Sequence, residues 1–246
     1  MIIELIGPSG SGKSTFVNEA IVKSRTFDNV EMAAWRGLLN HPKIKVFGAF
    51  LWRLFPARLA YRLRITKMVE LYRDQLIRSH SKAYENLLIT AQQLINNLAD
   101  ATIDEKLWLM DNFTRTVVNY ALISQPINAK RLILADEFFL QKAVRLSGEN
   151  SNNVGSYLAL VPKPKVVLLF DAEPKVLVER IRSRSGSRNI RTRSMTDEVL
   201  LQKLLTSKNV TNELVAVLEK TGAKKFRIEN EGDRNRVIND LKKIYA

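Results

Sequence analysis

Gly7-Pro8-Ser9-Gly10-Ser11-Gly12-Lys13-Ser14-Thr15 is the stretch on which the reading of this chain turns. It satisfies the spacing G-x-x-x-x-G-K-[ST]. It stands between Ile2-Ile3-Glu4-Leu5-Ile6, a short apolar run that reads as a buried strand, and a stretch of helix-forming composition over 15–23. Phosphates carry several negative charges. A glycine-rich turn lets backbone N–H groups point at them without side-chain obstruction, and the following helix adds a partial positive charge at its start. In such a loop Lys13 reaches the β- and γ-phosphates and the Ser14 hydroxyl ligates Mg²⁺. The pattern implies a bound nucleoside triphosphate. It leaves open a kinase, a GTPase or a mechanical ATPase.

Outward from the loop, strand-like runs alternate with helix-like stretches. Arg131-Leu132-Ile133-Leu134-Ala135-Asp136-Glu137 and Lys165-Val166-Val167-Leu168-Leu169-Phe170-Asp171 are apolar runs ending in acids, the form of buried parallel strands. A short strand is expected near 29–32 and a last one at Lys225-Phe226-Arg227-Ile228. Helices are expected over 104–124, 174–184, 196–221 and 234–245. Over 66–98, Met68, Leu71, Leu76, Leu87, Leu88, Ala91, Leu94, Ile95 and Leu98 recur at three- and four-residue steps, a long helical pattern. The alternation predicts an α/β fold with a parallel sheet covered on both faces. No repeat or linker divides the 246 residues, so one domain over 1–246 is expected.

Composition narrows the function classes. An apolar share of 46% against 26% charged residues is that of a globular protein rather than a disordered chain. With no Cys, disulfide frameworks, thiolate metal sites and thiol nucleophiles are excluded. With only His41 and His80, a His-rich metal site or a Ser-His-Asp hydrolase is set aside, and both histidines read as structural or solvated. The longest apolar stretch, 46–52, falls far short of the roughly 20 residues of a membrane span. The first residues carry neither a basic leader nor a signal-length apolar run. A cytoplasmic protein is expected. Lys and Arg number 39 against 25 Asp and Glu, a formal charge of +14, which points to anionic partners: nucleotides, nucleic acid or an anionic membrane face.

Three further groups of residues bear on chemistry. Arg180, Arg182, Arg184, Arg188, Arg191 and Arg193 lie close together among Ser and Gly. Arg180 and Arg184 share a helical face, which suits two guanidinium groups aimed at one phosphate chain. The looser stretch after them would close over the site and exclude water; a solvated basic face is the plain alternative. Asp136 ends an apolar strand, so its carboxylate should emerge at the sheet edge and meet Mg²⁺ or its water. Glu137 beside it reads as the base for an acceptor hydroxyl, as a water-orienting acid in an ATPase, or as a helix cap. Glu31, after the second strand, is another candidate base.

From Met32 to Val69 there is no Asp or Glu. The span interleaves Arg36, Lys43, Lys45, Arg53, Arg58, Arg62, Arg64 and Lys67 with Trp35, Phe47, Phe50, Trp52, Phe55 and Tyr61. Three readings stand: an in-plane contact of 43–67 with an anionic membrane, a groove stacking nucleic-acid bases, or a helical subdomain whose Leu51, Phe55, Leu59 and Leu63 form a core stripe.

The P-loop at 7–15, the run Pro162-Lys163-Pro164-Lys165-Val166-Val167-Leu168-Leu169-Phe170 and Glu179-Arg180-Ile181-Arg182-Ser183-Arg184 together resemble the nucleoside and nucleoside-monophosphate kinase group, with thymidylate kinases nearest. Ile228-Glu229-Asn230-Glu231-Gly232-Asp233 resembles that group's adenine-side loop before its final helix. The likeness covers 1–25 and 130–246. The chain departs from thymidylate kinases in having Asp136-Glu137-Phe138 where they carry an Asp-Arg pair, and in lacking their Arg-Glu-Pro-Gly turn.

The resemblance implies a P-loop NTPase three-layer sandwich with a central parallel sheet, a helical acceptor insert over 33–128 and an Arg-rich lid over 180–195. It implies an enzyme using ATP and Mg²⁺ to phosphorylate a hydroxyl or phosphate of a nucleoside- or nucleotide-type acceptor. Gly7 to Thr15 with Arg188 would hold ATP. Lys13, Arg180, Arg184 and Glu137 would act on the transferring group, and Ser14 and Asp136 would hold the metal. The other readings are a kinase for a sugar or lipid-linked glycan at the inner membrane face, a nucleic-acid end kinase, which is less favoured, and a non-kinase ATPase.

Overall fold

The computed structural model describes residues 1–42, 49–64, 67–99, 101–147, 155–183 and 195–245. Strands β1 (Ile2–Ile6), β3 (Leu132–Asp136) and β4 (Val166–Phe170) send alternate residues to opposite faces of a sheet, as the two-residue period of a strand dictates. Ile3, Leu5, Leu132, Leu134, Val166 and Leu168 pack against Phe16, Val17 and Ala20 of α1 (Lys13–Lys23) and Val237, Ile238 and Leu241 of α12 (Glu231–Tyr245). Ile133, Ala135, Val167 and Leu169 face the other way. They meet Trp35 and Leu38 of α2 (Val30–Leu39), Val117 and Leu122 of α7 (Ile103–Ile123) and Phe139 and Leu140 of α8 (Phe139–Leu146). Burial on both faces is why these strands appear in the sequence as continuous apolar runs.

With β2 (Phe27–Asn29) and β5 (Lys224–Ile228) the sheet has five strands, all parallel, in the order β2-β3-β1-β4-β5. The chain fills one side of β1 with β2 and β3, then crosses to the other side for β4 and β5. The order reverses at β1, and a crevice opens at the carboxyl end of that strand, where ligands of such sheets bind. The expected α/β three-layer sandwich is the observed fold.

Glu4 is the polar exception on the central strand. Its carboxylate oxygen accepts the N–H of Leu140 at 2.8 Å, supplying from 136 residues away the cap that the start of α8 lacks. Complete burial raises its pKa to about 8.

Two expectations are corrected. The second strand does not occupy 29–32: it ends at Asn29, whose side chain accepts the Met32 N–H at 2.8 Å and starts α2. Glu31 therefore lies in the first turn of a helix. Of the expected stripe Leu51, Phe55, Leu59 and Leu63, the last three are not core, and the Leu51 side chain lies outside the described ones. Pro56 interrupts the segment into α3 (Ala49–Arg53) and α4 (Ala57–Arg62), and the three side chains are 37%, 42% and 55% exposed. Ala60 and the half-buried Trp52, which meets Trp35 edge-on, make the inward contacts instead.

Between Val30 and Ile123 all regular structure among the described residues is helical: α2, α3, α4, α5 (Met68–Leu71), α6 (Arg73–Asn96) and α7. Leu76, Leu87, Ala91, Leu94 and Ile95 of α6 join the core shared with the sheet, as their spacing predicts. His41 is buried with its ring 5.2 Å from that of His80, a packing contact. The remaining helices are α9 (Gly155–Leu160), α10 (Pro174–Arg182) and α11 (Asp197–Lys220). No helix among the described residues is long and apolar enough to cross a membrane.

Candidate active site

Gly7, Gly10 and Gly12 adopt φ of 150°, 89° and 97°, a range L side chains rarely enter. A Cβ on Gly7 would sit 2.3 Å from the carbonyl oxygen of Phe170, so only glycine lets the loop pass this close to the end of β4. Gly12 precedes α1 without a side-chain cap, which leaves the N–H groups of the first turn for an anion. The buried Lys13 donates from Nζ to the carbonyls of Gly7 at 2.7 Å and Pro8 at 3.1 Å.

Ser14 Oγ donates to Asp136 Oδ2 at 2.7 Å, uniting residues 122 positions apart. Asp136 Oδ1 and Ser11 Oγ are buried with no hydrogen-bond partner. A hydroxyl and a carboxylate side by side, with one carboxylate oxygen still unfilled, form an all-oxygen donor set of the kind Mg²⁺ shares with phosphates. No group of three or more His, Cys, Asp and Glu that would hold a metal occurs among the described residues, so a metal here would rely on the nucleotide for its remaining ligands.

Pro8, Ser9 and Thr15 take their places in the same loop and first helical turn, Ser9 and Thr15 exposed. The loop has two further supports. Gln141 of α8 accepts the N–H of Gly7 at 3.1 Å in a buried bond. Sequence reasoning missed it; the one signal was the pair of polar residues, Gln141 and Lys142, inside the otherwise apolar 138–144. Arg180 of α10 donates to the carbonyl of Gly10 at 3.3 Å, so the expected guanidinium does stand at the phosphate loop. Arg182 turns instead to the start of α11, at 2.8 Å from Asp197. Arg184, Arg188, Arg191 and Arg193, and with them most of the expected lid, lie outside the described residues.

Glu137 has a left-handed backbone, φ 55°, and its exposed carboxylate pairs with Arg145 at 3.4 Å; that guanidinium also lies 5.4 Å from the Trp108 ring. Glu31, the other candidate base, has a different setting. Glu31 lines a cavity of about 580 Å³ together with Tyr61, Arg62, Arg64, Lys67, Glu70, Arg73, Arg115 and Asn119. Burial pushes the Glu31 carboxyl above the usual range, and the charge of Glu70 adds to the shift.

The strand register relates this cavity to the phosphate loop. Asn29 of β2 pairs with Leu134 of β3, so Glu31 and Asp136 each stand two residues further on, at the same carboxyl edge of the sheet. Five cations and two acids line the cavity. Arg115 bonds Glu70 at 2.8 Å and Asp111 at 2.9 Å, and Arg73 bonds Asp111 at 2.6 Å. Arg62, Arg64 and Lys67 form no ion pair among the described residues. Arg64 and Glu137 are the two non-glycine residues with positive φ among the described residues, a strain of order 1 kcal/mol or more each.

No protein-family model matches the chain, and no curated protein does. Among solved structures it is similar to the deoxyadenosine kinase from M. mycoides. With bound dATP that structure gives a TM-score of 0.46 and 15% identity over 98% of this chain and 100% of that chain. With bound dCTP the values are 0.44 and 14%, over 99% and 100%. With the products dCMP and a flexible dCDP they are 0.45 and 13%, again over 99% and 100%. Function must therefore be read from the side chains at the sheet edge.

Proposed function

We propose that the chain is a P-loop phosphotransferase that moves the γ-phosphate of ATP to a hydroxyl of an anionic, nucleoside- or nucleotide-type acceptor. One observation carries this reading: the loop of Lys13, Ser14 and Asp136 and the cation-lined cavity of Glu31 open at the same edge of one sheet. A switch or mechanical ATPase has no use for such a cavity, and the pairing of Glu137 with Arg145 argues against that acid orienting a water.

The loop N–H groups and Lys13 hold the triphosphate, and Arg180, beside Gly10, offsets charge that develops on the transferring oxygens. Mg²⁺, when held by Ser14 and Asp136, neutralises the phosphate oxygens. Glu31 takes the proton of the acceptor hydroxyl as that oxygen bonds to the γ-phosphorus. The bond from that phosphorus to the bridging oxygen breaks with its electron pair, and ADP leaves. Arg62, Arg64 and Lys67 meet the negative charge of the acceptor, while Ala34, Val69 and Val118 offer an apolar wall to its ring.

The test is turnover of Mg²⁺-ATP against a panel of nucleosides, nucleoside monophosphates, sugars, sugar phosphates and short oligonucleotides, with products identified by mass. A phosphorylated product from an anionic member that vanishes with Lys13→Ala is expected. Hydrolysis of ATP that no acceptor accelerates would overturn the kinase reading.

A further inference from the structure

The helices α3 and α4 expose apolar side chains that the site does not use. Phe50 is 75% exposed, Leu54 68%, Leu59 42% and Leu63 55%. Phe50 with Leu54, and Leu59 with Leu63, are four residues apart, so each pair projects from one side of its helix or its end. Large apolar residues gathered at the surface mark a contact with a partner rather than a core.

The charges name the partner. No Asp or Glu occurs between Glu31 and Glu70, while Arg62 and Arg64 flank Leu63 and are themselves exposed, as is Lys67. Arg53 and Arg58 turn inward, to the carbonyls of Leu39 at 2.9 Å and Ser24 at 2.7 Å, and tie the two helices to the body of the protein. A segment that exposes apolar side chains, carries cations and has no acid of its own fits an anionic bilayer: the side chains enter the boundary of headgroup and acyl chain, and the cations meet lipid phosphates. A protein partner would have to supply both an apolar groove and a single sign of charge. The bilayer supplies both everywhere.

We infer that α3 and α4 dock the protein on an anionic membrane surface, with their exposed apolar residues in the interface and Arg62, Arg64 and Lys67 at the headgroups. Tyr61, Arg62, Arg64 and Lys67 also line the cavity, so docking brings that cavity to the membrane plane, where its rim cations are shared between the headgroups and the proposed acceptor. The docking itself does not depend on the kinase reading.

The experiment is flotation of the full-length chain with vesicles of phosphatidylcholine alone or with about 30% phosphatidylglycerol. Retention by the anionic vesicles at low salt, at least tenfold above the neutral ones, is expected, because each cation near such a leaflet raises partitioning about fivefold. Leu54→Glu with Leu59→Glu should lower partitioning at least tenfold. ATP affinity and the circular dichroism spectrum of this variant should match the parent, since both side chains face solvent. No retention at low salt would overturn the inference, and so would undiminished retention of the double variant. Binding to a single-stranded oligonucleotide but not to anionic vesicles would overturn it in favour of nucleic acid. Transfer to a soluble acceptor is read separately, so failure of either proposal leaves the other standing.

Discussion

The nucleotide loop and the cation-lined cavity are built in opposite ways. The loop is nine consecutive residues that offer mainly backbone groups to the proposed nucleotide, braced by Gln141, Arg180 and Asp136. The cavity is made by side chains of five helices, α2, α4, α5, α6 and α7, and the segment between α4 and α5. The first is a local device that any sheet of this topology can carry. The second depends on how helices pack, so under the proposed function specificity for the acceptor would reside there.

Variants that separate the two regions should do so in graded steps. Lys13→Ala removes the cation at the β- and γ-phosphates and should lower kcat/KM about 10³-fold or more with every acceptor. Glu31→Gln should lower kcat about 10²-fold with little change in the KM for ATP. In the parent, kcat should rise with pH through a point above the ordinary carboxylate range, because burial and Glu70 hold the proton on Glu31. A pH profile unchanged by Glu31→Gln would remove that residue from the role of base. Arg64→Ala should raise the KM for the acceptor about tenfold and leave that for ATP alone. Equal loss on both substrates would show that loop and cavity are one site rather than two.

The smallest effect concerns the strand beneath both. Glu4 keeps its proton to about pH 8 in the folded chain, whereas the unfolded chain releases it near 4.5. Below 4.5 the two states bind the same proton. Between 4.5 and 8 stability falls as pH rises, and above 8 the loss is complete. Glu4→Gln abolishes this slope. Its Tm at pH 6, relative to pH 5, should exceed that of the parent by about 3–5 °C, and the gap should widen by about as much with each further pH unit up to about 8.

The legibility of the chain follows the same division. β1, β3 and β4 are visible in the sequence because both their faces are buried, and the glycine-lysine loop because its chemistry is consecutive. β2 is expected about two residues late because it is only three residues long and carries Asp28, buried in an ion pair with Arg36. α8 escapes because it is only eight residues long: Phe139, Leu140, Ala143 and Val144 do share one side against Gln141, Lys142 and Arg145, but over barely two turns. The period of Phe55, Leu59 and Leu63 is real, yet Pro56 and the turn after Trp52 face it outward. Spacing reports which residues share a side, and packing decides which side is inside. Glu31 was visible as an acid after a strand, but its seat in a cavity with Glu70 and Arg115 arises from five helices meeting.

Gln141 and Glu4 have one more consequence. Through them the first turn of α8 grips both the first residue of the phosphate loop and the middle of the central strand. The cradle is therefore stiff before any nucleotide arrives, and little chain entropy is lost when one binds. Loosening α8, at positions that never touch a ligand, should speed nucleotide departure while leaving every phosphate contact chemically intact.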